Sequence, residues 1–344
     1  MSDLLPSGWG RRLALAAGAG ILATALVVAL IAQVSHSAHV LDHLRHATPG
    51  WLVVCAAGEV IAYAGYLAGY RAMARLHGGP RLPASVALRV VALAFGAFAL
   101  ATAVGGLSVD FWALHEAGEP PARASARVIA FETLRWAVLA LATWLAALAA
   151  LLGLSRSVGT VLPVAWLVVV PACFAGGLWV SAARRRDRLG SAGARSHSWI
   201  RRAFAAAVDA LVYLRILVSA RSEGLRRRAL GGSLLFWAGD LLCAWAALRA
   251  FGARVGVAPL LLGYATGYVS EAVPLPAGGA GGVDAAMTGG FVLAGAPLGA
   301  ALLGAVTFRV FSFWLPAMVA VPSMLGARGL RDRLQEIAVR RGHA

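Results

Sequence analysis

Long apolar stretches separated by short basic segments make up almost the whole sequence. A helix that crosses a hydrocarbon core of about 30 Å needs about 20 residues, and windows of about that length isolate a series of such stretches. Their ranges are 13–33, 51–70, 85–104, 128–153, 160–181, 231–250, 258–274, 284–296 and 298–323. Because no interval between them has room for a soluble domain, the pattern predicts an all-α integral membrane protein in which residues 1–344 form a single polytopic domain.

Composition supports this class and limits the partners. Hydrophobic residues make up 60% of the chain, charged residues make up 13%, and the mean hydropathy is +0.75. The formal net charge of +16 comes from arginine, since the sequence contains no lysine. We interpret this charge as the basic flanks that set membrane topology and not as a nucleic-acid surface. The expected partners are therefore membrane lipids.

The arginine-rich segments set the predicted topology. They cover residues 11–12, 71–89, 184–228 and 328–341. The positive-inside rule places all of them, with both termini, on the cytoplasmic side of a bacterial plasma membrane. This requires a segment that enters and leaves on the same side, and 84–118, interrupted at Gly105 and Gly106, is the candidate. A second such segment, 258–296, opens to the outside, which gives about six full spans and two re-entrant helical hairpins.

The two halves of the chain repeat one order of residue types. In each half a glycine pair, an acid, a proline and an arginine follow one another. The positions are Gly105, Gly106, Asp110, Pro121 and Arg135, then Gly281, Gly282, Asp284, Pro297 and Arg309. We predict inverted repeats at about 51–153 and 231–323, joined by a helix at 160–181 and the basic cytoplasmic segment 184–228. Transporters built this way place their site near the midplane, between the repeats.

Charged residues at membrane depth are the candidates for function, because each costs about 2.5 to 3.5 kcal/mol at a helix centre. For the substrate site we name Glu132, Arg135, Asp284, Arg309, Gly278, Gly279 and Gly281. For balancing charge or relaying protons we name Glu59, Asp240 and Glu271. A guanidinium fork suits phosphate oxygens and an interrupted helix adds unpaired N–H groups, so we expect a phosphate-bearing headgroup. Structural ion pairing is the alternative, and for Glu132 the sequence favours neither reading.

A histidine cluster precedes the second apolar stretch. In "SHSAHVLDHLRHA" the residues His36, His39, His43 and His46 fall on one side of a helix. They are weak candidates for a metal site or an external pH sensor. An interfacial turn is the favoured interpretation, and we expect no cofactor. The run "GGAGG" is no nucleotide loop, because no Gly-Lys-Ser/Thr follows it.

Two stretches of the second half carry a family resemblance. "PLPAGGAGGVDAAM" and "GAPLGAALLGAVTFRVFSFWLP" resemble the flippase-like transmembrane family typified by the membrane region of lysylphosphatidylglycerol synthase, the multiple-peptide-resistance factor. The matching positions are Pro276, Gly278, Gly279, Gly281, Asp284, Arg309, Trp314 and Pro316. In the first half, "GGLSVDFW" and "FETLRW" correspond more loosely to the family's motifs. The resemblance implies lipid translocation between leaflets, by a stand-alone member without synthase activity.

These observations lead to one preferred function and two alternatives. The preferred function is a flippase-like transporter that moves a phospholipid or a lipid-linked intermediate between the leaflets of the bacterial plasma membrane. The alternatives are a membrane-embedded lipid-modifying transferase and a non-transporting assembly partner of envelope enzymes. Besides lipids, a second copy of the chain or an envelope enzyme is a candidate partner.

Overall fold

The computed structural model describes residues 45, 47–155, 159–180, 223–272, 281–325 and 327–342, and helices joined by short loops make up these ranges. The helices are α1 (Gly50–Arg75), α2 (Ala84–Glu116), α3 (Pro121–Leu151), α4 (Val161–Val180), α5 (Glu223–Ala250), α6 (Val257–Tyr268), α7 (Gly282–Leu293), α8 (Leu298–Arg309), α9 (Leu315–Leu325) and α10 (Ala327–Gly342). A π-helical turn, Val310–Trp314, joins α8 to α9. No β-strand occurs in these ranges, so the predicted all-α class is confirmed for them.

Four of the described helices are long and apolar enough to cross a membrane. They are Gly50–Arg75, Pro121–Leu151, Gly224–Ala250 and Leu298–Ala320. The predicted span 160–181 corresponds to α4, which contributes a shorter apolar stretch, Val161–Gly176. The predicted span 13–33 lies outside the described residues. The chain is thus a multi-pass membrane protein, and the full number of six spans stays a prediction.

Proline marks the starts of the helices that border the loops. Pro83 and Pro297 immediately precede α2 and α8, and Pro121 is the first residue of α3. Proline suits this position because its φ is already helical and the first turn of a helix needs no N–H donor for its own hydrogen bonds. The prolines therefore fix where the chain turns back into the apolar layer.

Helices α1 and α5 form the central antiparallel pair, and glycines bring their backbones together. A Cβ added to Gly65 would lie 2.5 Å from the Phe236 nitrogen. A Cβ added to Gly58 would lie 2.7 Å from the Gly239 carbonyl oxygen. Only a residue without a side chain fits at such a contact, which is the usual basis of close helix packing in membranes. The pair joins the first half of the chain to the second.

The segment α2 consists of two legs that lie side by side. A Cβ on Gly106 would lie 3.2 Å from the carbonyl oxygen of Ala94, whereas twelve residues of straight helix would separate them by about 18 Å. The chain therefore reverses between Phe98 and Gly106. Because residues Ala84–Glu116 are helical through Gly105 and Gly106, the predicted break at that glycine pair is wrong. Gly106 instead permits the close approach of the two legs.

Helices α6 and α7 form a second antiparallel hairpin. A Cβ on Gly263 would lie 2.2 Å from the Gly290 carbonyl oxygen, and a Cβ on Gly267 would lie 2.7 Å from the Met287 Cα. The connection at 273–280 lies outside the described residues. After it, Gly281 has a φ of +83°, a conformation that favours glycine, and begins α7.

The two hairpins open at opposite ends of the bundle. At one end, here called the basic end, lie Arg75, Arg127 and helix α10. Both ends of the α2 hairpin reach it, since Val86 and Glu116 each lie beside α10. At the other end, the Thr48 nitrogen donates to the Ala250 carbonyl at 2.8 Å. Helix α6 begins seven residues after Ala250, so the second hairpin opens there.

Glu119 fastens the basic end. Its buried carboxylate accepts hydrogen bonds from Arg127 Nη2 at 2.9 Å and Arg341 Nη1 at 3.0 Å. Arg127 Nη1 also donates to the carbonyls of Ala74 at 2.7 Å and Leu76 at 2.5 Å, at the C-terminal end of α1. A guanidinium there satisfies carbonyls that the helix leaves unpaired. The cluster joins α1, α3 and α10.

Glu116 also holds α10, outside the candidate spans. Its carboxylate accepts from Gln335 Nε2 at 2.9 Å and pairs with Arg331 Nη2 at 3.0 Å. Burial favours the neutral form, but the hydrogen bonds from Gln335 and Arg331 and the charge of Arg331 outweigh it. They hold the pKa of Glu116 below its usual value of 4.5.

We expect α10 to stay docked above pH 4.5 and to loosen as the pH falls below that value. A lowered pKa contributes stability that is present above the pKa of the unfolded chain and is lost as the pH falls through the folded pKa. Deuterium uptake over residues 330–342, corrected for intrinsic exchange, should therefore rise in acid. In Glu116→Gln, uptake should already be raised at neutral pH and should change little in acid. Uptake in the wild type that ignores pH would contradict this role.

Two neighbouring glycines of α5 provide a matched test of the α1–α5 contact. A Cβ on Gly232 would lie 2.6 Å from the Gly69 nitrogen, whereas a Cβ on Gly231 meets nothing within 4 Å. We expect Gly232→Ala to cost about 1–3 kcal/mol of unfolding free energy or more through overpacking. Gly231→Ala should be neutral or gain up to about 1 kcal/mol from helix propensity. Thermal unfolding in detergent measures both, and equal midpoints would refute the contact.

Candidate functional site

A cavity of about 240 Å³ lies between the central pair, the two hairpins, α3 and the π-helical turn. Its polar lining consists of Glu59, Asp110, Glu132, Arg135, Asp240, Glu271, Arg309 and Ser312. Its aromatic lining consists of Tyr63, Tyr66, Phe95, Phe98, Trp136, Phe236, Tyr268 and Phe313. The structure thus brings together six of the charged residues that the sequence placed at membrane depth.

The cavity lies well inside the apolar layer. With a rise of about 1.5 Å per residue, Glu59 is about 14 Å from the start of α1 and Arg135 about 21 Å from the start of α3. Both positions lie away from the ends of helices that are long enough to cross a hydrocarbon core of about 30 Å. Polar groups at this depth need partners, which the surrounding helices supply.

Arg135 is held by one carboxylate and an aromatic cage. Its Nη1 donates to Glu132 Oε1 at 2.6 Å, one helical turn away. The guanidinium carbon lies 4.1 Å from the ring centre of Phe236 and 4.8 Å from that of Tyr66. The indole N–H of Trp237 donates to the Arg135 carbonyl at 2.7 Å. Cation–π contacts keep the charge stable while leaving its edge toward the cavity available for hydrogen bonds.

Arg309 joins both legs of the second hairpin. Its Nη1 donates to Glu271 Oε1 at 2.9 Å, and its Nε donates to Asp284 Oδ1 at 3.2 Å. Glu271 precedes the connection between the legs, and Asp284 follows it. The guanidinium also lies 4.3 Å from the ring centre of Phe313 in the π-helical turn. Asp284 itself does not line the cavity but supports Arg309 from behind.

The glycine Gly281 has a structural role in this arrangement. Its N–H donates to Asp284 Oδ2 at 2.8 Å, which caps the first turn of α7. This N–H, predicted for the substrate, is therefore already bonded within the helix start. The predicted Gly278 and Gly279 lie outside the described residues.

Glu59 and Asp240 face each other where α1 and α5 cross. Each follows one of the glycines of the crossing, Gly58 and Gly239, whose backbones touch. Both carboxyl side chains line the cavity at this crossing. Asp240 also accepts a short hydrogen bond from the Tyr264 hydroxyl. The three residues predicted to balance charge or relay protons therefore fall into two groups. Glu59 and Asp240 form a carboxyl pair, while Glu271 is ion-paired with Arg309.

Asp110 belongs to the site although the sequence analysis named it only in the repeat. It is buried in the second leg of α2, and its Oδ2 accepts from the Tyr66 hydroxyl at 3.0 Å. The pattern contained a hint, because Asp110 occupies the place in the first half that Asp284 occupies in the second. The aromatic lining had no comparable sequence signature, since aromatic residues on apolar helices are most often simple packing residues.

Several polar atoms around the cavity have no hydrogen-bond partner in the described part of the chain. They are Glu59 Oε1, Asp110 Oδ1, Arg135 Nε and Ser312 Oγ. Leaving a buried polar group unpaired costs about 1–3 kcal/mol, so these atoms indicate a site for water or a polar ligand. Carboxyl groups outnumber guanidinium groups in the lining. The cavity can therefore bind hydrogen-bond donors as well as anions.

The predicted histidine cluster cannot be located in the fold. His36, His39, His43 and His46 lie outside the described residues. Within the described ranges, no group of three or more histidine, cysteine, aspartate or glutamate side chains is placed to hold a metal ion. The polar cavity is consequently the candidate site that the geometry supports.

Comparison with known proteins gives one clear result. The family model described as the lysylphosphatidylglycerol synthase TM region matches residues 13–320, which is most of the chain. No curated protein matches the sequence. The match includes all the charged residues of the cavity.

We expect Arg309→Gln to cost about 3–5 kcal/mol of unfolding free energy, because it removes the guanidinium charge that pairs with the buried carboxylates of Glu271 and Asp284. Adding Glu271→Gln should recover at least about 1 kcal/mol, since it removes one of the uncompensated carboxylates. Unfolding by a detergent titration in mixed micelles measures the complete double-mutant cycle. Strictly additive effects of the two substitutions would show that Arg309 and Glu271 do not interact.

Proposed function

Because the chain belongs to the lysylphosphatidylglycerol synthase transmembrane-region family, we propose that it moves a phospholipid or lipid-linked intermediate between membrane leaflets. The observation that carries the proposal is the polar cavity at mid-membrane depth, with four buried polar atoms left to bind a ligand. A cavity that only packed helices together would be apolar. This one offers charges of both signs between aromatic walls.

The lining favours a headgroup that has a phosphate and an amine. Arg135 keeps its Nε without an acceptor, so it can bind a phosphate oxygen while Glu132 holds its Nη1. The carboxyl groups of Asp110 and Glu59 each have an unpaired oxygen that can accept from an ammonium group. Rings such as Phe236 add cation–π attraction for the same group. A zwitterionic headgroup satisfies both sets of residues.

The arrangement of the hairpins supplies a route to both leaflets. In the proposal the two halves are inverted repeats, and the α2 and α6–α7 hairpins are re-entrant elements that reach the cavity from opposite sides. Rocking of one repeat against the other would open the cavity to each leaflet in turn. Gly278 and Gly279, which lie outside the described residues, stay predicted members of the substrate site. Arg309 with Asp284 would keep that hairpin at the cavity.

The basic end gives the proposed orientation. Arginines of α10 and the Glu119 cluster lie at this end, and the positive-inside rule assigns such ends to the cytoplasm. We therefore place the protein in the bacterial plasma membrane with both termini inside. In this orientation the α2 hairpin opens to the cytoplasm and the α6–α7 hairpin opens outward.

The proposal is tested by lipids that co-purify with the protein. Native mass spectrometry should find a zwitterionic or other phosphate-bearing lipid bound to the wild type. In Arg135→Lys we expect its occupancy to fall about tenfold, a loss of about 1.4 kcal/mol, because an ammonium lacks the planar fork and the stacking of guanidinium. The matched control is Arg249→Lys, which changes an arginine stacked on Trp245, 4.9 Å away and outside the cavity.

A transport assay completes this test. Phosphatidylethanolamine labelled on its acyl chain keeps its amine free, and its movement in proteoliposomes can be followed by chemical quenching of the outer leaflet. The Arg135→Lys variant should move the probe at least about tenfold more slowly than the Arg249→Lys control. Equal bound lipids and equal rates in both variants would refute the site. An Arg249→Lys variant as impaired as Arg135→Lys would do the same.

A further inference from the structure

The carboxyl pair Glu59 and Asp240 is the part of the cavity that headgroup binding alone does not explain. The two residues come from the two halves of the chain and meet at the glycine crossing of α1 and α5. Both are at least nine-tenths buried. In the described ranges neither takes part in an ion pair, whereas Glu132, Glu271 and Asp284 are each bonded to an arginine.

Two buried carboxyl groups that line one cavity at a helix crossing retain a proton between them unless a cation joins them. Two negative charges so placed, away from bulk water, would repel each other and lack solvation. The Tyr264 hydroxyl donates to Asp240, which leaves Glu59 as the natural carrier of the proton. Glu59 lines the cavity, and its Oε1 has no hydrogen-bond partner among the described residues, so the proton can exchange with the cavity.

The surroundings allow the pair to lose that proton only when another cation enters. The titratable and charged groups that face it are Cys55 and Tyr63 on α1, Cys243 on α5, Tyr264 and Tyr268 on α6, Arg135 on α3 and Glu271 after α6. Arg135 is the one cation among them, and it is bonded to Glu132. A doubly ionised pair would therefore need a new positive charge beside it.

We infer that Glu59 and Asp240 form a proton-binding pair that exchanges one proton for the ammonium group of the transported lipid. The inference rests on the proposed function and adds its coupling. When the ammonium enters, the Glu59 O–H bond breaks, its proton leaves to cavity water, and the ammonium N–H groups donate to both carboxylates. When the ammonium leaves, one carboxyl group takes a proton back from water. Lipid and proton then move in opposite directions.

The experiment uses the full chain in proteoliposomes with the acyl-labelled phosphatidylethanolamine probe and an entrapped pH-sensitive dye. A pH difference of about one unit is imposed while potassium and valinomycin hold the membrane potential at zero. For one proton per lipid, the wild type should accumulate the probe about tenfold in one leaflet, because one pH unit is a tenfold ratio of proton activity. Dissipating the pH difference should abolish the asymmetry.

The variants Glu59→Gln and Asp240→Asn separate coupling from structure. Each amide keeps the size of the side chain and its capacity for hydrogen bonds but cannot release a proton. We expect both to lose at least about nine-tenths of the asymmetry and of the proton flux, while the protein remains monodisperse. The control is Asp332→Asn, which changes an exposed carboxylate on α10 and should behave like the wild type.

Each outcome decides the inference. Probe movement in the wild type without response to the pH difference overturns the proton pair and leaves the proposed function standing. Proton flux without probe movement, lost in Glu59→Gln, supports the pair and overturns the choice of lipid. Neither movement nor flux overturns both. Wild-type asymmetry in Glu59→Gln and Asp240→Asn overturns the inference and gives the pair a structural role.

Discussion

A charge inside a hydrocarbon layer has to be balanced, and the interior of this protein is organised by that requirement. Each charged group at mid-depth costs about 2.5 to 3.5 kcal/mol on insertion. Glu132 balances Arg135 on one helix, while Glu271 and Asp284 balance Arg309 across a hairpin. An aromatic ring lies against each of the two guanidinium groups. These ion pairs and rings form the walls of the cavity and leave a volume of about 240 Å³ between them.

Glycine residues allow the helices to approach closely enough for these charged side chains to meet. At the α1–α5 crossing, Gly58 and Gly239 let the backbones touch, and the next residue on each helix is then an acid that faces its counterpart. The hairpins use the same device, with Gly106 against Ala94 and Gly263 against Gly290. Close contact at the glycines leaves the space between the hairpins open. The glycine contacts that pack α1 against α5 therefore also bring Glu59 and Asp240 to the same crossing.

The sequence predicted the class of the protein and most of the charged lining, because an acid or arginine in an apolar run is conspicuous and costly. It predicted less well the features that depend on tertiary contact. Gly105 and Gly106 read as a helix break, yet the backbone there stays helical and Gly106 serves a contact with a residue twelve positions earlier. The aromatic cage of Arg135 draws Tyr66 and Phe236 from two other helices, a meeting that no local pattern records.

The two ion pairs that Arg309 makes, with Glu271 and with Asp284, limit how the second hairpin can move. The guanidinium belongs to α8, whereas its two acceptors lie on either side of the hairpin connection. The described ends of both legs are therefore joined to α8 by ion pairs, and they cannot move away from α8 without breaking these pairs. By contrast, the side chain of Asp110 in the other hairpin is fastened to α1 by the hydroxyl of Tyr66. At the cavity, the second hairpin is thus held to α8 by ion pairs, whereas the Asp110 side chain of the α2 hairpin is held to α1 by a hydrogen bond.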